Sequence, residues 1–160
     1  MGNNKTQGIS MAHSFVSGLF DCAFSTKGRR KLITPDLQER LWPYMGGIAK
    51  EKGMKALSIG GIDDHVHLLL AITSTVSIAK TLQLIKGASS KWVHDTFSKH
   101  HNFVWQEGYG AFSIGISQID RTIAYIRSQA EHHRKLTFQE EFLEILKKHG
   151  IQYDKRYIWD

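Results

Sequence analysis

The stretch from Asp64 to Leu70, DHVHLLL, constrains the fold more than any other part of the sequence. Side chains alternate between the two faces of a β-strand. His65, His67 and Leu69 therefore point to one face, and Val66, Leu68 and Leu70 point to the other. The apolar face must pack against a core. Two imidazole rings on the opposite face of a half-buried strand would be costly without a polar partner. The stretch therefore predicts a central strand that carries a site on one face.

A bound divalent metal is one explanation of this histidine pair. Imidazole is a good ligand for divalent transition metals, and two neighbouring rings on one strand can bind one ion together. The chain contains nine histidines, so a His-x-His pair also arises easily by chance. Structural histidines remain the alternative at this point.

The hydrophobic pattern elsewhere predicts an α+β fold with a single sheet and helices packed on it. Lys55 to Ile62 and His65 to Ile72 form a predicted hairpin that turns at Asp63-Asp64. The other predicted elements are a strand from Phe15 to Ser25, a helix that begins at Thr34-Pro35 with a kink at Pro43 and Gly46-Gly47, a helix from Ser77 to about Ser98, short strands at Phe103–Trp105 and Gly110–Ile116, a helix from Ile119 to Ala130, and a last helix with a capping box of Thr137 and Glu140 and with Gly150 after its end.

A tyrosine lies away from the apolar stripe of the helix that contains AYIRSQAEHH, residues 124–133. The stripe is expected to consist of Ile119, Ile123, Ile126 and Ala130. At about 100° per residue, Tyr125 lies more than about 100° from the centre of this stripe. Arg121, Gln129 and His132 are expected on the same side of the helix as Tyr125. An exposed tyrosine without a function is the alternative.

Tyr125 and the histidine pair together predict cleavage of a phosphodiester. A tyrosine hydroxyl can form a covalent phosphoryl intermediate, which conserves the bond energy for rejoining. The pKa of tyrosine is ordinarily near 10, so the hydroxyl needs a proton acceptor or a positive potential to attack. A divalent ion at the histidines would supply that potential and would polarise the phosphate.

The net charge of +6, from 21 Lys and Arg against 15 Asp and Glu, favours a polyanionic partner. Six basic residues are the candidates for phosphate contacts: Lys27, Arg29, Arg30, Lys31, Lys86 and Lys91. Trp105 and Tyr109 are candidates for stacking on bases. Solvated charges and core aromatics are the alternatives for these residues.

The 160 residues are enough for one domain, expected to span 11–160 after a leader at 1–10 that is disordered or foreign to the natural chain. Met11 is a candidate natural start. Cys22, the single cysteine, excludes an internal disulfide and a cysteine-based zinc cluster. The sequence shows neither an apolar run of membrane-spanning length nor a signal peptide, so we expect a cytoplasmic protein without a membrane partner.

The combined motifs resemble the single-tyrosine HUH transposases of insertion sequences and the REP-associated tyrosine transposases. His65-Val66-His67 matches the His-hydrophobic-His motif, and YIRSQ, residues 125–129, matches the family's tyrosine followed four residues later by Gln or Asn. Further matching stretches are AFSTKGRR, LQLIKGASSKW, WQEGYGAFS and FQEEFLEILKKHGI. The resemblance extends, loops aside, from Met11 to Trp159. It departs from the family at Asp21-Cys22-Ala23, where members often have a further histidine in the first strand.

The resemblance implies a ferredoxin-like or RRM-like HUH endonuclease sandwich with Mg²⁺ or Mn²⁺ at the site. It implies Gln129 as the third metal ligand beside His65 and His67, and Tyr125 as the catalytic nucleophile. It implies structure-specific cleavage and rejoining of single-stranded DNA through a 5′-phosphotyrosine, for DNA transposition or mobilisation of REP elements. Hairpin-forming single-stranded DNA and a second copy of the chain are the implied partners.

Two other functions fit the same residues. A replication-initiation or relaxase-type nickase would use the same chemistry with other partners and added domains, which the compact chain disfavours. A single-stranded nucleic-acid binding protein without catalytic activity would need neither the histidine pair nor Tyr125. Both alternatives are therefore less favoured than a transposase.

Overall fold

A four-stranded antiparallel sheet forms the middle layer of the protein in the computed structural model, which describes residues 15–159. Its strands are β1 (Leu19–Ser25), β2 (Lys55–Gly61), β3 (His65–Ala71) and β4 (Gly110–Ile114). Their order in the sheet is β2-β3-β1-β4, so the histidine-bearing strand has a neighbour on each side. The predicted α+β fold and the predicted hairpin are confirmed. The predicted leader at 1–10, Met11 and Asp160 lie outside the described residues.

Two long helices cover the apolar face of β3. They are α1 (Pro35–Glu51) and α2 (Ile78–Thr96), and both begin as predicted. The Thr34 hydroxyl accepts a hydrogen bond from the Leu37 amide at 3.3 Å, and a serine caps α2 in the same way. These helices enclose a core that contains Val66, Leu68 and Leu70. The histidines must therefore face the other layer.

Helix α1 continues through Pro43 and Gly46-Gly47, so the predicted kink does not divide it into two helices. Pro43 is exposed. On that side water can bond to the carbonyl group that the missing proline N–H leaves unpaired. Packing of the apolar face of α1 in the core outweighs the local preference of these residues.

The histidine-bearing face is covered by α3 (Ile119–Arg127), α4 (Gln129–His132) and α5 (Phe138–Lys148). Phe138 and Phe142 of α5 pack with Ala23 and Phe112 of the sheet in a second, smaller core. The capping box predicted at Thr137 is present: the Glu140 amide donates a hydrogen bond to the Thr137 hydroxyl at 3.2 Å.

The close packing of α3 on the sheet depends on Gly60 of β2. A Cβ atom at Gly60 would lie 2.7 Å from the backbone carbonyl oxygen of Ile126 and 2.9 Å from its side chain. Any other residue would push α3 away. Since Gly60 is paired with His67 in the sheet, this contact also fixes the distance between α3 and the histidines.

The predicted helix from Ile119 to Ala130 is confirmed over Ile119–Arg127, but the chain leaves the helical conformation at Ser128 (φ −97°, ψ 19°) before α4 begins. The break changes the direction of the side chains that follow it, so Ala130 is exposed and Gln129 is buried. The break therefore decides which side chain reaches the sheet.

The remaining differences from the predicted elements are in connecting segments. Phe103–Trp105 is no strand: it makes one isolated bridge, between Trp105 and Thr26. β1 begins at Leu19, four residues later than predicted, and β4 ends two residues early. Short 3₁₀ helices occur at Lys27–Arg29, Ser98–His100 and Ile116–Gln118. Among residues 15–159, none of the helices is long and apolar enough to span a membrane.

Candidate active site

His65 and His67 are completely buried, with ring centroids 5.3 Å apart. Each ring has a carboxylate at Nδ1: Asp64 Oδ1 lies 2.7 Å from His65, and Asp21 Oδ1 lies 3.4 Å from His67. A carboxylate at one nitrogen of an imidazole fixes the ring and leaves the other nitrogen available as a ligand. Asp21 lies in the first strand, at the point where this chain departs from the family's pattern, and here it orients a histidine.

Gln129 lies against the histidine pair. Its side chain is 1% exposed, and its Oε1 is 2.8 Å from His65 Nε2. Its amide nitrogen donates to the Tyr125 carbonyl oxygen at 3.3 Å, which holds the side chain in this orientation. The structure thus brings Gln129 to the same place as the two histidines.

Glu141 of α5 is the residue that sequence reasoning missed. The side chain is 1% exposed, and its Oε1 is 2.8 Å from His67 Nε2 and 3.7 Å from His65 Nε2. In the sequence, Glu141 stands between Phe138 and Phe142 on the apolar face of an amphipathic helix. A carboxylate on such a face is rare unless it has a partner, and this was the available signal.

The hydroxyl of Tyr125 lies at the other oxygen of the same carboxylate. It donates a short hydrogen bond to Glu141 Oε2 and is 3.2 Å from His132 Nε2. His133 Nε2 is 3.1 Å from the same Oε2. The ring of Tyr125 is half-buried, 5.7 Å from that of His67. Glu141 therefore links the predicted nucleophile to the predicted metal ligands.

A cavity of about 310 Å³ opens beside this cluster. Tyr125, His132 and Glu141 contribute to its wall, and the exposed basic residues Arg121 and Lys148 lie at it. Arg121 was expected near Tyr125, and the structure places both at the same opening. The carboxylates of Asp21, Glu141 and Glu144 line the same cavity, so Arg121 and Lys148 are the groups there that could attract a phosphate.

The electrostatics of the cluster disfavour a charged tyrosine. Burial raises the pKa of Tyr125, and the hydrogen-bonded Glu141 carboxylate raises it further. Burial would raise the pKa of Glu141, but hydrogen bonds with His133, His67 and Tyr125 hold it well below its usual range. Ionising the tyrosine thus requires an additional positive charge.

The surroundings of the two histidines shift their pKa values in opposite directions. Burial dominates at His65 and lowers its pKa. Burial also acts to lower the pKa of His67, but hydrogen bonds with Asp21 and Glu141 outweigh it and raise the pKa to about 9. A divalent ion would have to displace a proton from His67. The raised pKa of His67 indicates that positive charge is stabilised at this position, as a bound ion would require.

The donor atoms of this cluster fit a divalent cation. Within the described residues, His65, His67 and Glu141 form one group whose ligand atoms all lie within 4.8 Å of one another, and His132, His133 and Glu141 form another. Imidazole nitrogens combined with carboxylate and amide oxygens suit divalent transition metals and, through the oxygens, Mg²⁺ or Mn²⁺.

The predicted DNA-contacting residues of the first loop lie at the end of β1 where Ser25 pairs with His65. Lys27, Arg30 and Lys31 are exposed, and Lys31 is 4.0 Å from Asp63. Arg29 is half-buried and lies over the ring of Trp159 at 5.2 Å. The loop therefore presents basic side chains at the histidine end of the sheet.

The predicted contacts on α2 lie in the opposite layer from Tyr125. Lys86 is half-buried and donates to the carbonyl oxygens of Glu107 and Gly108 at 2.8 and 3.0 Å. Lys91 is exposed and pairs with Asp95 at 2.5 Å. The structure does not bring these two lysines to the candidate active site.

The two aromatic candidates for base stacking differ in exposure. Trp105 is only 6% exposed and donates to the Ser89 hydroxyl at 3.0 Å, so it is a core residue and its predicted role in stacking is wrong. Tyr109 is 39% exposed and remains accessible.

Comparison with known proteins agrees with this arrangement. The family described as "Transposase IS200 like" matches residues 16–129. The transposase for insertion sequence element IS200 of Salmonella typhimurium is 24% identical over 139 residues, covering 84% of this chain and 88% of the relative. The ISDra2 transposase TnpA of Deinococcus radiodurans is 25% identical over 79 residues, covering 49% of this chain and 56% of the relative.

Two solved structures share the fold. A candidate transposase from Deinococcus radiodurans R1 has a TM-score of 0.60 at 20% identity, covering 74% of this chain and 95% of the other. A REP-associated tyrosine transposase bound to a REP hairpin has a TM-score of 0.56 at 13% identity, covering 76% and 72%. Because the family match includes the histidine strand, the tyrosine helix and well over half of the sequence, this chain belongs to the IS200-like transposase family.

Proposed function

We propose that this protein cleaves and rejoins single-stranded DNA during transposition, with Tyr125 as the nucleophile and with a divalent metal held by His65, His67 and Gln129. One observation carries the proposal: Glu141 bonds the Tyr125 hydroxyl with one oxygen and His67 with the other, so nucleophile and metal ligands form one cluster. A tyrosine with only a structural role would not need to meet the histidines in this way.

The step begins with the strand in the cavity beside Tyr125 and its phosphate facing the hydroxyl. The tyrosine oxygen forms a bond to phosphorus while the bond from phosphorus to the 3′ oxygen breaks. The tyrosine proton is lost to solvent through the hydrogen bond with Glu141 Oε2, and the 3′ oxygen takes up a proton from water and leaves as a hydroxyl. The products are a 5′-phosphotyrosine and a free 3′-hydroxyl, the polarity that the family resemblance implies, and rejoining reverses the step.

The cluster needs positive charge for this step, because burial and Glu141 both raise the pKa of Tyr125. When bound, a divalent ion, Mg²⁺ or Mn²⁺ by the family resemblance, would polarise the phosphate and neutralise the charge that develops on it. Arg121 at the cavity would add to this potential.

We propose single-stranded DNA with hairpin structure as the substrate. The REP-associated structural neighbour was solved with a REP hairpin, and the basic loop that contains Lys27, Arg30 and Lys31 is exposed at the histidine end of the sheet. Mobilisation of REP-type elements is therefore one form that the reaction would take. Exposed bases would have Tyr109 available for stacking.

We also propose a homodimer, on the family resemblance, with each site completed by the groups of one chain. Tyr125, Gln129 and the histidine pair meet within a single chain, which supports completion of the site in cis. Sedimentation with and without DNA tests the assembly: a monomer at every concentration would contradict the dimer and leave the cis site intact.

Metal removal tests the proposed reaction. With end-labelled, structured single strands, wild-type protein and Mg²⁺ or Mn²⁺ should give a cleaved strand and a covalent adduct. EDTA should abolish both, while DNA binding persists because the basic loop does not depend on the ion. Full cleavage in EDTA would exclude the metal from the mechanism.

A further inference from the structure

We infer that Glu141 is a direct ligand of the metal, so that the ion is held by two imidazoles, one carboxylate and one amide oxygen. This inference rests on the proposed metal site and adds a ligand from α5. That helix follows the end of the family match at residue 129.

The first argument is the spacing of the donor atoms. Around an octahedral ion with ligands at about 2.1 Å, neighbouring ligand atoms are about 3.0 Å apart. His67 Nε2 and Glu141 Oε1 are 2.8 Å apart, His65 Nε2 and Glu141 Oε1 are 3.7 Å apart, and Gln129 Oε1 is 2.8 Å from His65 Nε2. The two distances of 2.8 Å are close to this value, and the distance of 3.7 Å lies between it and the roughly 4.2 Å of opposite vertices, so all three fit within one coordination shell.

The second argument is orientation. Both histidines present Nε2 to Glu141, because their Nδ1 atoms are held by Asp64 and Asp21. A neutral imidazole that donates at Nδ1 has its lone pair at Nε2, where a metal binds.

The third argument is the cost of burial. Glu141 is 1% exposed in a helix whose neighbouring positions pack in an apolar core. A buried carboxylate is stable only when it is paired or coordinates a metal; His67 and His133 pair with Glu141 here, and an ion at the same place would neutralise it as well. Mg²⁺ and Mn²⁺ prefer oxygen ligands, and without Glu141 the set would offer only the amide oxygen of Gln129.

The second donor group shares Glu141 and is the competing location for the ion. Its atoms are His132 Nε2 and His133 Nε2, both about 3.1 to 3.2 Å from Oε2. The Tyr125 hydroxyl already occupies that side of the carboxylate. The Oε1 side faces the buried histidine pair, which is why we place the ion there.

Titration of the metal-free protein with Mn²⁺, followed by calorimetry and by electron paramagnetic resonance, tests this ligand without DNA or turnover. Wild type should bind one Mn²⁺ per chain. Glu141→Gln should weaken binding about 10-fold or more, in the range found when groups that support a metal site are removed. Glu140→Gln is the matched control: it removes the same charge one residue away, and glutamine still completes the capping box, so affinity should not change.

Thermal unfolding of each variant separates loss of a ligand from loss of the fold. If Glu141→Gln unfolds early, Glu141→Asp serves instead, since it keeps the carboxylate and should bind more tightly than Glu141→Gln. Wild-type Mn²⁺ affinity in a folded Glu141→Gln protein would overturn the assignment. So would unchanged binding in His65→Asn together with weakened binding in His132→Asn, which would move the ion to the other group. Tight Mn²⁺ binding without DNA cleavage would refute only the proposed reaction.

Discussion

Replacing Tyr125 by phenylalanine removes one oxygen atom from the centre of the candidate site. The ring keeps its position beside His67, because phenylalanine has the same shape. In the wild type, the hydroxyl donates to the Glu141 carboxylate and lies 3.2 Å from His132 Nε2. The variant therefore tests the nucleophile with little change to the site around it.

The expected cost in stability is small. A hydrogen bond to a charged group contributes about 1.5–3 kcal/mol. Glu141 Oε2 keeps His132 and His133 as partners in the variant, so we expect the low end, about 1.5 kcal/mol. For a chain of this size that corresponds to a fall in Tm of roughly 3–6 °C. The covalent adduct and the cleaved strand should disappear completely, while DNA affinity stays close to that of the wild type.

The assay combines end-labelled single strands on denaturing gels with mass spectrometry of the adduct. Tyr153→Phe is the matched control, since Tyr153 is 42% exposed and lines a different cavity from Tyr125. A Tyr125→Phe protein that still forms the adduct would refute the reasoning. Mapping of the DNA to Tyr109 or Tyr153 in the wild type would refute it equally.

Three further perturbations have defined outcomes. Gln129→Ala should weaken metal binding about 10-fold or more without unfolding the protein, and a wild-type metal titration would remove Gln129 from the ligand set. Arg121→Ala should weaken the binding of single-stranded DNA and reduce the slope of log K against log salt concentration by about 0.7. Arg127→Ala should leave both unchanged, because Arg127 is exposed on the same helix but does not line the cavity. Equal losses in the two variants would exclude a specific DNA contact by Arg121. The metal-free protein should become less stable, by at most about 3 kcal/mol, as the pH rises from about 6.5, the pKa of a histidine in the unfolded chain, to about 9, the pKa of His67 in the folded protein. The reason is that folded His67 holds its proton more tightly than the unfolded chain does. Urea midpoints in EDTA that do not change across this pH range would contradict the raised pKa of His67.

Local pattern was sufficient for the strand that carries the histidines. Alternation along residues 64–70 fixes the faces of His65 and His67, and an all-apolar opposite face requires a buried position in the sheet. The same kind of argument located the starts of α1, α2 and α5, because capping depends on residues within one turn of each start.

The carboxylate at the centre of the site could not be found in this way. Glu141 meets His67 across 74 positions of sequence, and that contact depends on how α5 packs on the sheet. Ser128 posed a related problem. A helix extended at about 100° per residue leaves Gln129 beside Tyr125 on the surface, whereas the break at Ser128 turns it into the core.

Helical spacing predicted Gln129 beside Tyr125, where the structure has it, but only the family resemblance named it as a metal ligand. It did not name Glu141. For the basic residues, the sequence predicted too many contacts with DNA. Lys86 was predicted from its charge, but its ammonium group donates to backbone carbonyl oxygens on the side of the sheet opposite Tyr125. Charge alone does not indicate which layer a lysine occupies.

The cavity beside Tyr125 also has a consequence for the order in which the two partners bind. Glu141 and Tyr125 form part of its wall, whereas the two histidines are completely buried behind them. An ion that enters through the cavity reaches Glu141 first and the histidines next. A DNA strand seated in the same opening would close that path. Loading would then be sequential, ion before strand, and a chelator added after the strand would extract the ion more slowly than one added before it.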